Sequence, residues 1–302
     1  MRTRRLLAIV GVLGLAVPAH AQQPRPGAAG VPDEGREPTW TLGSGRTVSL
    51  FPTGDVFPPY MADPHKTESA VMGHLYTRTG IADSTDRRIG LKAGGRLGMV
   101  RLSPRSPNGR SWQLSLDAGL DAQFDSDQKV DNIGWDGNYG VTLTTASGGP
   151  FSAKLALLHV SSHVGDEYSE RTGRTRIDYT RQELAFGLGW RLARAVHVYA
   201  EGGWGTDLLT EEQKPWRVQG GVEVQSRRTL LGGRFAWYVA VDFQAMEERD
   251  WRLDTAVQTG LTTTSSGRRV RIGAQYDDGR VPLGEFFQDT EAWFTLALWI
   301  DL

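Results

Sequence analysis

The chain has 302 residues, 34 basic and 35 acidic side chains for a net charge of −1, and no cysteine. Such a balance gives no overall electrostatic footprint for nucleic acid, and it excludes disulfides and cysteine-held metals. Mean hydropathy is −0.37, and no stretch beyond the first residues approaches the ~18 consecutive apolar residues of a membrane-spanning helix.

In chain order, Met1 to Arg5 carries three arginines, Leu6 to Val17 is apolar, and Ala19-His20-Ala21 is a small-x-small site. Basic, apolar and small segments in that order make a secretory signal peptide. Residues 1–21 are therefore expected to be removed, leaving a mature chain that begins near Gln22. The apolar run is too short to anchor the chain as a helix, and no cysteine follows the cleavage site to carry a lipid. Residues 22–66 are rich in Pro and Gly, as in "QQPRPGAAGVPDEGREP" and "LFPTGDVFPPYMADP". This composition fits an irregular periplasmic arm or a plug for a lumen, and leaves both open.

Residues 67–302 are read as the barrel, and after Arg88 the pattern has period two, whereas Ser69 to Arg78 alternates poorly. In "WQLSLDAGLDAQF", Trp112, Leu114, Leu116, Ala118, Leu120, Ala122 and Phe124 share one face, opposite Gln113, Ser115, Asp117, Asp121 and Gln123. A helix would scatter those aspartates around its circumference; a strand segregates them. Ile133, Trp135, Tyr139, Val141 and Leu143 share a face in the next run, and Phe235, Trp237, Val239, Val241 and Phe243 do so later. The alternating spans are 68–79, 88–101, 111–125, 132–146, 151–163, 177–192, 195–207, 216–228, 234–248, 253–264, 267–278 and 290–302. They number about twelve, an even count of segments long enough to cross a bilayer at a tilt. With the first strand running outward, the two longest connections, near 164–176 and 279–289, fall outside, and most inner connections are tight turns. The C-terminus then faces the periplasm.

The fold class expected is all-β: a transmembrane antiparallel β-barrel of about 12 strands with an irregular N-terminal periplasmic arm, in the outer membrane of a Gram-negative bacterium. A soluble β-sandwich would alternate too. It would not place a strand through the last residues, nor aromatics at strand ends such as Trp190, Trp204, Trp216 and Trp237. Phe294, Leu296, Leu298, Ile300 and Leu302 alternate to the end. This resembles the C-terminal signal read by the barrel-assembly machinery, an expected partner during insertion, whose clients usually end in Phe or Trp rather than Leu302. By parity, Asp117, Asp121, Asp136, Lys154, Arg181, Glu183, Arg191, Glu201, Arg217, Glu223, Asp242 and Arg271 point inward. Both signs interleave, as a rigid hydrogen-bonded lumen requires, whereas a charge-selective pore would favour one sign.

The segment "LALLHVSSHVGDEYSER" concentrates reactive side chains. Continuing the parity of Phe151, Leu155 and Leu157 places His159, Ser161 and His163 on the outer wall, near the extracellular end. A histidine beside a serine can serve as general base for its hydroxyl, with Asp166, Glu167 or Glu170 of the next loop to orient the imidazole. A bulge at His159 would instead turn the pair inward. The His-x-Ser of His159 and Ser161 resembles the motif of outer-membrane phospholipase A and of the lipid A deacylases, barrels with an outer-wall site for lipid acyl esters. Those enzymes carry Asn soon after the serine or on the next strand, whereas Ser162, Asp178 and Gln182 stand here. Over most of its mature length the chain resembles the bacterial family domain of unknown function 1207, through "LFPTGDVFPPYMADP", "HVSSHVGDEY", "RQELAFGLGW", "PLGEFF" and the final strand. That resemblance implies an outer-membrane barrel and no particular activity.

Asp166-Glu167 and Asp277-Asp278-Gly279 are oxygen-rich and could hold Ca²⁺ between outer loops; this belongs to the hydrolase reading alone, and no other cofactor is expected. His65, His74 and His197 suggest no metal site. The leading expectation is a structural or narrow-pore barrel whose partners are outer-membrane lipids and not nucleic acid. The alternative is a lipid acyl hydrolase using Ser161, His159 and a loop carboxylate.

Overall fold

The computed structural model describes residues 37–301, apart from 107, 194, 266 and 267. The expected signal peptide, residues 22–36 and Leu302 lie outside the described residues.

Two short strands, β1 (Thr39–Thr41) and β2 (Thr47–Leu50), precede twelve long ones. These are β3 (Ser69–Arg78), β4 (Arg87–Ser103), β5 (Arg110–Asp125), β6 (Asp131–Ser147), β7 (Phe151–Val164) and β8 (Thr180–Ala193). They continue as β9 (Val196–Leu208), β10 (Trp216–Leu230), β11 (Phe235–Met246), β12 (Leu253–Ser265), β13 (Arg268–Arg280) and β14 (Thr290–Asp301). Each of the twelve pairs antiparallel with its chain neighbour, and β14 closes on β3 from Ala292↔Arg78 to Ile300↔Ser69. Closure gives every long strand a partner on both sides, as a sheet that crosses hydrocarbon requires. Every alternating span read from the sequence is a strand here. The largest offset is at β8, which starts at Thr180 rather than residue 177.

Alternation divides the wall as expected. On β14, Leu296 is 72% exposed and its neighbour Thr295 3%. Val71, Leu157, Leu188 and Ile272 extend this outward apolar band around the ring. Exposed aromatics border it: Trp112, Phe151, Trp190 and Trp237 at the end of the tight turns, and Trp204, Trp216 and Trp251 at the other. Amphipathic rings favour the headgroup level at the two faces of a bilayer. A cation at mid-band loses that fit. We expect Leu296→Arg to destabilise the membrane-folded barrel by about 2–4 kcal/mol, measured by denaturant unfolding from phospholipid vesicles, whereas Leu296→Val should change little.

Two residues depart from simple parity. Ile133 was expected outward with Trp135 but is fully buried among Val164, Tyr168 and Phe286. The register slips there, Gln123 pairing with Gly134 and Phe124 with Asn132, so a bulge rotates Ile133 under the outer loops. Arg191 was expected in the lumen and is exposed, because the β8–β9 register shifts between Arg191 and Ala193.

The lumen is filled from both ends. β1 and β2 extend the sheet at the inner end of β4, from Thr47↔Ser103 to Leu50↔Val100. The chain then enters the barrel. Arg101 donates to the Thr53 and Gly54 carbonyls, and the Tyr60 hydroxyl to Glu201 at 2.9 Å. The Met61 amide donates to Glu223 at 2.5 Å, and Arg271 donates to the Met61 carbonyl at 2.9 Å. Tyr60 stacks on Tyr199 with ring centroids 3.7 Å apart, and Lys92 bonds the Pro64 and Lys66 carbonyls. Inward glycines make the room. A Cβ on Gly187 would lie 2.9 Å from the Tyr60 hydroxyl, and one on Gly189 3.2 Å from the Phe57 ring. Phe57, Tyr60, Met61 and Ala62 are buried by this fit.

Around the arm, many inward charges are ion-paired, while Asp242 accepts from Tyr199 and Gln219. Arg217 bridges Glu183 and Glu201 at 2.6 Å each, and Lys154 bonds Glu201. Arg271 meets Glu68 at 2.5 Å and Asp301 at 3.2 Å, and Arg96 meets Asp117 at 2.8 Å. Between the arm and the outer loops remains a cavity of about 180 Å³, bordered by Asp136, Tyr179, Arg217 and Arg280 among others.

Candidate functional site

β7 pairs with β6 and β8 without a register slip, so its parity runs unbroken to Val164. Lys154, Ala156 and Ser162 face inward; Phe151, Leu155 and Leu157 face out. His159, Ser161 and His163 therefore share the outer wall, opposite Tyr139, Gly137 and Trp135 of β6. His159 stacks on Tyr139 (centroids 4.4 Å, 22°), and His163 lies against Trp135 (4.2 Å, 33°). The Ser161 hydroxyl has a hydrogen-bonding imidazole, but it belongs to His163, with Oγ to Nε2 at 3.2 Å. His159, the base expected from the His-x-Ser spacing, is held instead by its ring partner. The repeat His159, Ser161, His163 has period two on both sides of the serine; His163 was therefore an equal candidate by spacing alone.

Gly137 faces Ser161 and leaves room beside it for the Trp135 ring, which a Cβ at Gly137 would meet at 3.7 Å. On the other side, Gln182 of β8 pairs across from His159 and donates to Asp207 of β9 at 3.2 Å.

The loop after β7 is not the bare turn that Gly165-Asp166 suggests. Asp166–Thr172 forms a short helix, α1, closed by Gly173 at φ 73. Gly165 is required by close approach, since a Cβ there would meet the Asn132 carbonyl oxygen at 1.9 Å. Tyr168 anchors α1 into the apolar cap with Ile81, Ile133 and Leu283, and donates to the Ala82 carbonyl at 2.7 Å. Asp166 pairs with Arg176 at 2.9 Å, while Glu167 and Glu170 are exposed on the helix. Among the described residues, no carboxylate lies within ion-pair distance of His159 or His163. The structure thus brings Ser161 and His163 together and leaves Asp166, Glu167 and Glu170 apart from them.

The oxygen-rich outer pairs are also separated. Asp277 faces the lumen and accepts from Gln275 at 2.7 Å, whereas Asp278 is ion-paired with Arg78 at 2.5 Å. His74 bonds Thr295 and His197 bonds Glu223, each through Nδ1.

The other face of β7 fixes a lid that sequence reasoning missed. Residues 281–289 fold into the mouth, burying Val281, Leu283, Phe286 and Phe287. Ser162 donates to Asp136 and accepts the Glu285 amide at 2.8 Å, and the Gly284 amide donates to Asp136 at 3.1 Å. The Glu285 carboxylate accepts the Ile177 and Tyr179 amides, and Arg249 holds the Phe287 and Asp289 carbonyls. In the adjacent outer turn, burial lifts the Glu248 carboxyl above its ordinary range, against the opposing pull of Arg181. The signal for the lid was apolar "VPLGEFF" in an outer loop, a place where solvated residues are the rule.

A closed ring of antiparallel strands with an apolar band, aromatic borders and a polar, filled interior defines an outer-membrane-type β-barrel. The chain belongs to the family described as protein of unknown function (DUF1207), whose profile matches residues 16–299. Among solved structures it is similar to outer membrane phospholipase A from Escherichia coli, with TM-score 0.51 and 10% identity over 80% of this chain and 93% of that one. It is likewise similar to the Salmonella typhi outer membrane phospholipase dimer with bound calcium, at TM-score 0.52 and 9% identity over 81% and 94% of the two chains. The NanC porin matches at TM-score 0.43 and 13% identity, over 78% of this chain and all of that one. At these identities the likeness to the two phospholipase structures is one of fold. Comparison with curated proteins by sequence finds no match.

Proposed function

We propose that the chain is exported to the outer membrane of a Gram-negative bacterium, with residues 1–21 removed, and acts there as a non-conducting barrel that works at its surfaces. The observation that carries this reading is double occupancy of the lumen, by the arm around Phe57–Ala62 and by the lid around Leu283–Phe287. A channel needs a continuous wet path with weak sites along it. Here Glu201 on the wall, itself paired with Arg217 and Lys154, accepts the Tyr60 hydroxyl and so ties the arm into the path. Proteoliposomes carrying the folded protein should show no osmotic swelling in small sugars or amino acids. Swelling at the rate of a general porin would refute the reading.

A second reading is favoured by the 3.2 Å contact of Ser161 and His163 on the outer wall. It is a lipid acyl hydrolase, in which Ser161 attacks the ester carbonyl and His163 takes the hydroxyl proton. The imidazolium returns that proton to the departing alcohol, and water then releases the fatty acid. His159 would border the acyl path, and Asp166, Glu167 or Glu170 would reach an imidazole or a Ca²⁺ only after α1 moves. The assay is ester cleavage in mixed phospholipid micelles, with and without Ca²⁺. This reading predicts that Ser161→Ala abolishes turnover and that His163→Ala lowers it at least ~100-fold, with the barrel still folded. An inactive wild type, or an active Ser161→Ala, would remove it.

A further inference from the structure

We propose that the inner end of the barrel is a docking surface for the phosphate headgroups of anionic phospholipids in the leaflet facing the periplasm. Arg105 and Arg110 flank the β4–β5 turn, Arg227, Arg228 and Arg234 flank the β10–β11 turn, and Arg268 opens β13. All six are exposed, and none is ion-paired among the described residues. Arg191, displaced from the lumen, joins them.

Among the described residues, no carboxylate at this end is ion-paired with the collar. Asp301 is held by Arg269, Arg271 and Lys66, and Glu37 accepts the Thr53 amide and hydroxyl. The opposite rim mixes signs, with Asp83, Asp86, Asp127, Asp207, Glu211 and Glu212 exposed beside Arg78, Arg87, Lys129, Arg176, Lys214 and Arg252. Near-zero net charge for the whole chain therefore hides a collar of exposed arginines at one end.

Depth and chemistry identify the partner. Arg110 is two residues from Trp112, Arg191 adjoins Trp190, and Arg234 is three residues from Trp237, all three tryptophans being exposed in the inner aromatic border. Leu230 and Leu231, exposed beside Arg228, lie at the same level. A guanidinium placed there reaches headgroup phosphates while its stem stays against apolar surface. The collar is built of arginine, whose planar fork binds phosphate through two parallel hydrogen bonds. A soluble anionic polymer would need no such alignment with the apolar band.

The test uses the refolded full chain in micelles doped with equal phosphatidylglycerol and phosphatidylcholine, and reads retained lipid by native mass spectrometry. The proposal predicts retention of phosphatidylglycerol over phosphatidylcholine by roughly tenfold. Arg227→Gln/Arg228→Gln/Arg234→Gln should bring the ratio close to one, and Arg105→Gln/Arg110→Gln/Arg268→Gln should lower it independently. Lys129→Gln/Lys214→Gln at the other rim should leave it unchanged. Folding of each variant is checked by heat-modifiable gel mobility. Equal retention by the wild type, a ratio unmoved by both triple variants, or displacement of the lipid by a soluble peptidoglycan fragment would overturn the proposal.

Discussion

Replacing Arg217 by alanine is expected to destabilise the folded barrel by about 3–5 kcal/mol, the cost of stranding buried charges without their partner. The guanidinium donates to Glu183 and Glu201 at 2.6 Å each and to Gln219 at 2.7 Å. Its loss leaves two carboxylates with Arg181 and Lys154 as their remaining cations. Arg217→Lys should recover only part of the loss, because an ammonium cannot reproduce the fork that spans both partners. Unfolding in urea from vesicles, with heat-modifiability as the fold check, measures the difference. A change below about 1 kcal/mol, the scale of a solvated ion pair, would mean that the lumen is wet enough to screen these charges.

The second large effect concerns conduction. Deleting residues 37–66 removes the Tyr60 contact with Glu201, the Met61 contacts with Glu223 and Arg271, and the chain that crosses Gly187 and Gly189. What remains is a polar-walled ring closed only by the lid. The deleted protein is expected to show discrete conductance steps in planar bilayers once the lid is also opened by Glu285→Ala/Arg249→Ala, with the lid variant alone staying silent. Glu285 and Arg249 are chosen because Glu285 fastens the lid to the Ile177 and Tyr179 amides beside β8, and Arg249 donates to the Phe287 and Asp289 carbonyls of the lid. Steps from the lid variant alone would show that the arm does not seal the barrel.

Most of the wall was legible in the sequence because lipid imposes period two on every strand. Trp112 to Phe124 and Phe294 to Ile300 carry that period openly, and closure follows from the even count and from the ban on free edges. Ile133 and Arg191 escaped because a bulge and a register shift move residues without leaving a composition signal. The arm was ambiguous for a different reason. Proline and glycine fit a loose leader as well as a plug, and only Gly187 and Gly189, distant in the chain and facing inward, mark where it runs.

The candidate site was half legible. Parity correctly placed Ser161 on the outer wall, because it depends only on an unbroken β7. The choice between His159 and His163 did not follow from parity, since both obey it. It is decided by Tyr139 and Trp135 on the neighbouring strand, one ring holding His159 and the other leaving the Nε2 atom of His163 at Ser161. Asp166 illustrates a further limit. Proximity in sequence suggested an orienting carboxylate, but helix formation aims it at Arg176.

Whether the arm occupies the lumen can be read directly by cross-linking, because the native chain has no cysteine to interfere. Tyr60→Cys and Gly187→Cys would place two thiols across the gap now filled by the Tyr60 ring. In intact outer membranes, a short bis-maleimide should join them into one looped species of altered gel mobility, and neither single variant should do so. Full labelling of both thiols by a bulky water-soluble maleimide, with no loop formed, would contradict the closed barrel.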